Sequence, residues 1–190
     1  MKICTATLRS TAPYSASRLH EAPKLEKEGA DAYEQRTWRE KGTFDANGML
    51  CIPAMGLKMA VDEAAKRLAM GIPGRGKSTY TKFFVAGQIC IDTPGVCLNI
   101  AKDDLDQVKI WANADGVRGS GKRVKRLFPL VHQWKGTAQF AILDPTIPPA
   151  IFEKTLIEAG RLIGVGRFRP EKGGMNGRFA VDNITWAEEA

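Results

Sequence analysis

The glycine-rich stretch at residues 161–179, RLIGVGRFRPEKGGMNGRF, combines residue types suited to binding a polyanion. Its glycines allow a positive φ or a close approach of the backbone to another chain. Its arginines offer a planar set of donors that suits phosphate. One carboxylate, Glu171, stands among these bases. We therefore expect polyanion contacts from Arg167, Arg169, Lys172 and Arg178, and a flexible, soluble hairpin is the alternative interpretation.

Two other segments are strongly basic. Residues 71–82 include Arg75, Lys77 and Lys82 without an acid, and residues 118–126 read RGSGKRVKR. The net charge of +7 favours an acidic partner, of which nucleic acid is the commonest. The three basic segments could converge on one groove, or they could be three separate solvated loops. The binding residues predicted in the third segment are Arg118, Lys122, Arg123, Lys125 and Arg126.

Several residues outside these segments are further candidates for nucleic-acid contact. Lys58 lies near the start of a predicted helix, where backbone amides favour anions, so we expect it to contact phosphate. Tyr14, with Arg18 nearby, is a candidate base-stacking platform, since stacking contributes roughly 1–3 kcal/mol per base. The alternatives are a solvated lysine and a packed aromatic ring. Trp38 and Trp134 are also candidate platforms, with core packing preferred for Trp134, whereas packing is expected for Trp111 and Trp186.

Residues 71–78, GIPGRGKS, match the phosphate-binding pattern G-x-x-x-x-G-K-[ST]. That loop works when a strand precedes it and a helix follows it. Here the sequence predicts a helix before the loop and an apolar, β-like run at 79–85 after it. We therefore disfavour a P-loop-like nucleotide hydrolase and expect Arg75 and Lys77 to contact a nucleic-acid backbone.

Catalytic and metal-binding groups are sparse. His20 and His132 are the only histidines, and His20 is the candidate for a metal-independent nuclease. The four cysteines form no CxxC pair. No apolar run reaches the roughly 18 residues of a membrane span, and no export signal is evident. We expect a cytoplasmic protein that has no catalytic residues, metal ion or cofactor and does not bind a membrane.

The periodicity of the chain predicts the elements that would carry these residues. Residues 2–10 alternate like a half-buried strand, and residues 55–70 carry the apolar stripe of an amphipathic helix. Strands are predicted at 124–132 and 134–143, a short helix at 30–39, and an apolar β-like run at 81–92. Pro148–Pro149 opens a second main helix, and a final strand follows from Phe179.

This order is the β-α-β-β-α-β pattern of a ferredoxin-like α+β fold, an antiparallel sheet backed by two helices. RNA-recognition domains share the architecture, although no strand here carries their aromatic signature. We expect one domain over residues 1–190. Its core would span about 1–70 and 127–190, with a long, basic, β-rich insertion at about 71–126.

Residues 51–65, CIPAMGLKMAVDEAA, resemble the I-P-G-S-S-L-K-G-A-L-R-x-A motif of the RAMP superfamily. Those proteins are RNA-binding backbone and processing subunits of CRISPR effector complexes. Residues 164–179 are similar to the superfamily's glycine-rich loop, and residues 5–18 to its first strand and polar turn. Ala54 and Met59 stand where the family has glycine.

The resemblance implies a ferredoxin-like core with a thumb-like insertion and subunits that stack along single-stranded RNA. We therefore hypothesise a non-catalytic protein that binds single-stranded RNA or DNA and oligomerises on the strand, with weak sequence preference because phosphate contacts do not read bases. Short, stand-alone chains of this kind in bacteriophages suggest an alternative, an interaction protein or inhibitor that acts on a host CRISPR or other nucleic-acid complex.

Overall fold

The structure, a computed structural model, describes residues 1–114 and 121–188. Within these ranges the α-helices are α1 (Ala30–Thr37), α2 (Ala54–Leu68), α3 (Thr81–Gly87) and α4 (Pro149–Glu158). The first strands are β1 (Lys2–Ser10), β2 (Tyr14–Ser15), β3 (Thr43–Phe44), β4 (Met49–Pro53) and β5 (Gln88–Cys90). The later strands are β6 (Gly95–Ala101), β7 (Asp106–Asn113), β8 (Arg123–Val131), β9 (Lys135–Ile142) and β10 (Phe179–Glu188).

The largest sheet has four antiparallel strands in the order β10-β1-β9-β5. Together with α2 and α4, these strands follow one another along the chain in the predicted β-α-β-β-α-β order. The fold is therefore α+β and ferredoxin-like. Alternation along β1 buries Cys4, Ala6 and Leu8 completely, and these residues make the sheet side of the core.

Aromatic rings join this sheet to its helices. Phe152 of α4 meets Phe140 of β9 edge-on at a centroid distance of 5.3 Å, and Trp186 of β10 at 5.9 Å. It also stacks on Phe84 of α3 at 6.3 Å. Such pairs contribute about 0.5–1.5 kcal/mol each beyond the burial of their surface. The packing anchors α3, as well as α4, to the central sheet.

The sequence predicts two overlapping β-like runs, one at 79–85 after the phosphate-loop pattern and one at 81–92. Both predictions are wrong where the runs overlap. Thr81–Gly87 is helical, and only Gln88–Cys90 forms a strand. The aromatic and β-branched residues favour a strand locally, but Phe84 becomes fully buried against Phe152 in the helical form. Strand β5 of the central sheet lies inside the range of about 71–126 that the sequence assigns to the insertion.

Two smaller sheets lie outside the central one. Their orders are β2-β8-β7 and β3-β4-β6. The strand predicted at 124–132 is confirmed as β8, and it belongs to the first of these small sheets rather than to the central sheet. Of the helices in the described ranges, none is both long and apolar enough to cross a bilayer.

Candidate nucleic-acid interface

Strand β2 links the β7–β8 hairpin to the glycine-rich loop. On one side, β2 pairs with the end of β8, where Ser15 lies opposite Leu130. The Ser15 carbonyl accepts a hydrogen bond of 2.8 Å from the Arg167 amide. The Gly177 amide donates to the Pro13 carbonyl at 2.7 Å, just before β2. The loop therefore continues the small sheet, and two of the three basic segments converge.

A cleft of about 450 Å³ lies between this hairpin and the loop. Its lining combines arginines with aromatic rings, which are the two side-chain classes that bind single-stranded nucleic acid. Among the described residues it is lined by Ile110, Trp111, Ala112, Asn113, Ala114, Arg123, Arg126, Phe128, Arg167 and Phe168.

Arg167 is the arginine that the loop contributes to the cleft. Its guanidinium carbon lies 3.6 Å from the centroid of the Phe128 ring and 4.0 Å from that of Phe168. These are cation–π contacts in a half-buried setting, and burial lowers the pKa of Arg167 from its ordinary value. Its Nη1 is buried and has no hydrogen-bond partner in the described part of the chain.

The hairpin contributes two arginines that its own backbone helps to orient. Arg123 donates from Nη2 to the Trp111 carbonyl at 2.9 Å. Arg126 donates to the Ala114 carbonyl at 3.3 Å and forms an ion pair with Glu34, also at 3.3 Å. Each bond uses only part of a group with five donors, so both guanidinium groups can still bind a ligand.

Glu34 of α1 is a buried carboxylate that the sequence reasoning missed. It accepts hydrogen bonds from Lys41 and, at 2.6 Å, from the Leu127 amide of β8. The Lys41 ammonium also donates to the Leu127 carbonyl at 2.7 Å. Burial alone would raise the pKa of Glu34, but these hydrogen bonds and the charges of Lys41 and Arg126 outweigh it and lower the pKa. Glu34 therefore ties α1 to the strand that carries Arg126.

Two exposed aromatic rings lie at the cleft. Trp111 is 61% exposed and Phe168 is 47% exposed. The expectation that Trp111 is a packing residue is wrong, because alternation along β7 places it with exposed Lys109, whereas Ile110 is half-buried. In the hairpin register Trp111 shares a face with Lys125 and Arg123, and an exposed indole beside such bases can stack on a nucleobase.

The aromatic residues predicted as stacking platforms are buried. Tyr14 and Trp38 are each 3% exposed, and Trp134 is 4% exposed. The Tyr14 ring packs edge-on against Trp134 at 6.5 Å and lies where a side chain at Gly166 would stand. Stacking of a base on Tyr14 is thus corrected to core packing. Trp186 packs on Phe152, as expected.

Several predicted bases already bind partners within the protein. Lys58 pairs with the Asp62 carboxylate and donates to the Val85 carbonyl at 2.7 Å, so its ammonium is directed to internal acceptors rather than to a free phosphate site. Glu171 forms ion pairs with two bases, and their hydrogen bonds hold its pKa below the ordinary value. These bases are Lys172 at 2.7 Å and Arg169 at 2.8 Å.

The remaining predicted bases lie outside the lining of the cleft. Arg18, Arg75, Lys77 and Lys122 are exposed, whereas Lys125 and Arg178 are half-buried. Lys125 faces Trp111 in the β7–β8 register. Arg178 donates to the Arg161 carbonyl at 3.3 Å. Arg118 falls outside the described residues.

The phosphate-loop pattern at 71–78 does not form a P-loop. Helix α2 precedes it and the Gly71–Thr79 bridge closes it as a hairpin, where a P-loop would follow a strand. His20 stacks on Tyr33, and His132 lies 3.5 Å from the Asp106 carboxylate. Over residues 1–114 and 121–188, no group of three or more His, Cys, Asp or Glu side chains is placed to hold a metal ion.

No family model and no curated protein matches this chain. A solved structure that it resembles is a chain of the Type III-B Cmr-beta, determined by cryo-EM bound to cognate target RNA. The TM-score is 0.53 at 13% sequence identity, and the match covers 98% of this chain but 61% of the other. The chain therefore spans less than two thirds of that relative's length. At this identity the likeness shows a shared fold, which agrees with the fold that the RAMP resemblance implies.

Proposed function

We propose that this chain is a non-catalytic protein that binds single-stranded nucleic acid, RNA or DNA, and that several copies associate along one strand. The observation that carries the proposal is the convergence of two basic segments on one cleft with exposed aromatic rings. The fold likeness to a chain of an RNA-bound assembly supports RNA as the ligand. No arrangement in the described residues favours a hydrolase over this binding function.

The cleft would bind the strand through two kinds of contact. Arg123 and Arg126 would neutralise phosphates and release counterions, and Arg167 would add positive charge to the same cleft, which makes affinity depend on salt. Trp111 and Phe168 would stack on bases, which adds affinity with little dependence on salt. The other exposed bases would add weaker, longer-range attraction.

Salt dependence tests the electrostatic part of this proposal. We expect the affinity for a labelled oligouridylate, measured by fluorescence anisotropy, to fall with salt at a log–log slope of about −0.7 per phosphate contacted. Arg123→Ala should make the slope shallower by about 0.7, because one phosphate contact is lost. The matched control is Lys154→Ala, which removes an exposed charge from α4, outside the cleft lining. Strands of increasing length should bind cooperatively if copies associate.

A salt response that is flat, or that changes equally in both variants, would contradict binding in the cleft. Isolation of a stoichiometric protein partner in the absence of nucleic acid would instead support the interaction-protein alternative.

Trp111 tests the stacking contact. Trp111→Ala should weaken binding by roughly 1–3 kcal/mol, the contribution of one base–aromatic stack. The slope with salt should stay unchanged, because no charge is removed. Trp111→Phe should retain most of the affinity. Since the indole is mostly exposed, neither variant should alter thermal stability appreciably, and an alanine variant with unchanged affinity would exclude Trp111 as a platform.

A further inference from the structure

Arg167 has a donor that the described part of the chain leaves unused. Its guanidinium lies over Phe128 and also over Phe168. A planar guanidinium donates only at its edges, within its own plane. Its Nη1 is buried without an acceptor in the described residues, and a buried donor in this state calls for a partner that the structure does not hold.

The chemistry of the cleft restricts that partner to a group rich in acceptors. The charged side chains lining it are arginines, with no carboxylate among the described lining residues. Arginines donate hydrogen bonds and accept none. Phosphate oxygens satisfy this requirement and can accept an arginine fork in pairs, a contact that Arg123 and Arg126 also offer in this cleft. A planar base that lies in the plane of the Arg167 guanidinium can accept hydrogen bonds from two of its donors at once.

Guanine is the base whose edge fits an arginine fork. Its O6 and N7 are adjacent acceptors, whereas adenine places a donor beside N7, cytosine presents a donor, and uracil and thymine present one acceptor. We infer that the cleft selects an unpaired guanine, read by Arg167 through O6 and N7. This inference rests on the proposed binding of single strands, and it adds one base-specific contact to phosphate contacts that read no sequence.

Base analogues test this inference on the unaltered protein. Oligouridylates carrying one central guanine, adenine, cytosine, hypoxanthine or 7-deazaguanine are compared by anisotropy at fixed salt. Guanine and hypoxanthine, which both keep O6 and N7, should bind about 5- to 150-fold more tightly than adenine or cytosine. The analogue 7-deazaguanine, which lacks N7, should lose most of that advantage.

Equal affinity for all strands, with a normal salt slope, would overturn the guanine inference and leave the proposed function standing. Absence of binding to every strand would overturn both.

Arg167→Lys identifies the residue that reads the base. Lysine keeps the charge but lacks the planar fork, so the preference for guanine should disappear while the salt slope changes little. The control Arg67→Lys, at an exposed position of α2, should keep the preference. If the preference for guanine persists in Arg167→Lys, Arg167 is not the residue that reads the base. The analogue series on the wild-type protein decides whether guanine is selected even if the variant folds poorly.

Discussion

Gly177→Ala is expected to destabilise the protein by about 3 kcal/mol or more and to open the glycine-rich loop. Gly177 has a φ of +77°, and a Cβ there would stand 1.8 Å from the Val165 carbonyl oxygen. The left-handed conformation alone costs an L-residue roughly 1–2 kcal/mol, and the overlap adds at least as much. The opposing atom is backbone, so side-chain rotation cannot relieve the overlap. Urea unfolding would measure the loss.

Gly173→Ala is the matched control for this prediction. Gly173 has the same φ of +77°, but a Cβ there would meet no atom within 4 Å. This variant should lose only the roughly 1–2 kcal/mol that the left-handed conformation costs. Equal losses in the two variants would show that the close approach of Gly177 to Val165 does not matter for stability.

Two glycines of the loop, Gly174 and Gly177, also explain part of the signal in the sequence. The glycine-rich stretch predicts a backbone that another chain can approach closely. In the structure, the close approaches of Gly174 and Gly177 are to the loop's own carbonyls at Phe168 and Val165. Composition reveals that a close approach occurs, but it does not reveal which backbone is approached.

The elements with strong periodicity were predicted well. Strand β1 has the predicted bounds, and α2, β9 and the start of α4 lie within two residues of theirs. Their patterns span two or more turns or alternations, so burial on one side fixes both type and register. Helix α3 was missed because it has seven residues, and its conformation is decided by the contact of Phe84 with Phe152, far away in sequence.

The candidate site was only partly predictable. The sequence identifies Arg123, Arg126 and Arg167 as bases, but their convergence depends on two residues of β2 bridging β8 and the loop. A local signal argues against Lys58 as a phosphate contact, because its i,i+4 partner Asp62 is visible in the sequence. The partners of Glu34 could not be found this way, because Leu127 lies 93 residues away.

Glu34→Ala is the second variant expected to have a large effect, a loss of about 3–5 kcal/mol in the free energy of unfolding. The Glu34 side chain is 4% exposed, and its removal deprives the Leu127 amide of its acceptor and the mostly buried Lys41 ammonium of its carboxylate partner. Arg126 loses its ion pair as well, so the affinity for single-stranded nucleic acid should fall together with the stability. The control Glu63→Ala breaks an ion pair of two well-exposed side chains on α2 and should have little effect on stability.

The pH dependence of stability separates the charge of Glu34 from its packing. The folded-state pKa of Glu34 lies below its ordinary value of 4.5, so its contribution is complete above pH 4.5 and is lost as pH falls through the lower, folded-state pKa. Glu34→Gln, which keeps the shape without the charge, should therefore differ most from the wild type near neutral pH and least in acid. Unfolding measured from neutral pH to below pH 4 checks this. A difference that stays constant over that range would assign the role of Glu34 to packing and exclude its negative charge as the source of its stabilising contacts with Lys41 and Arg126.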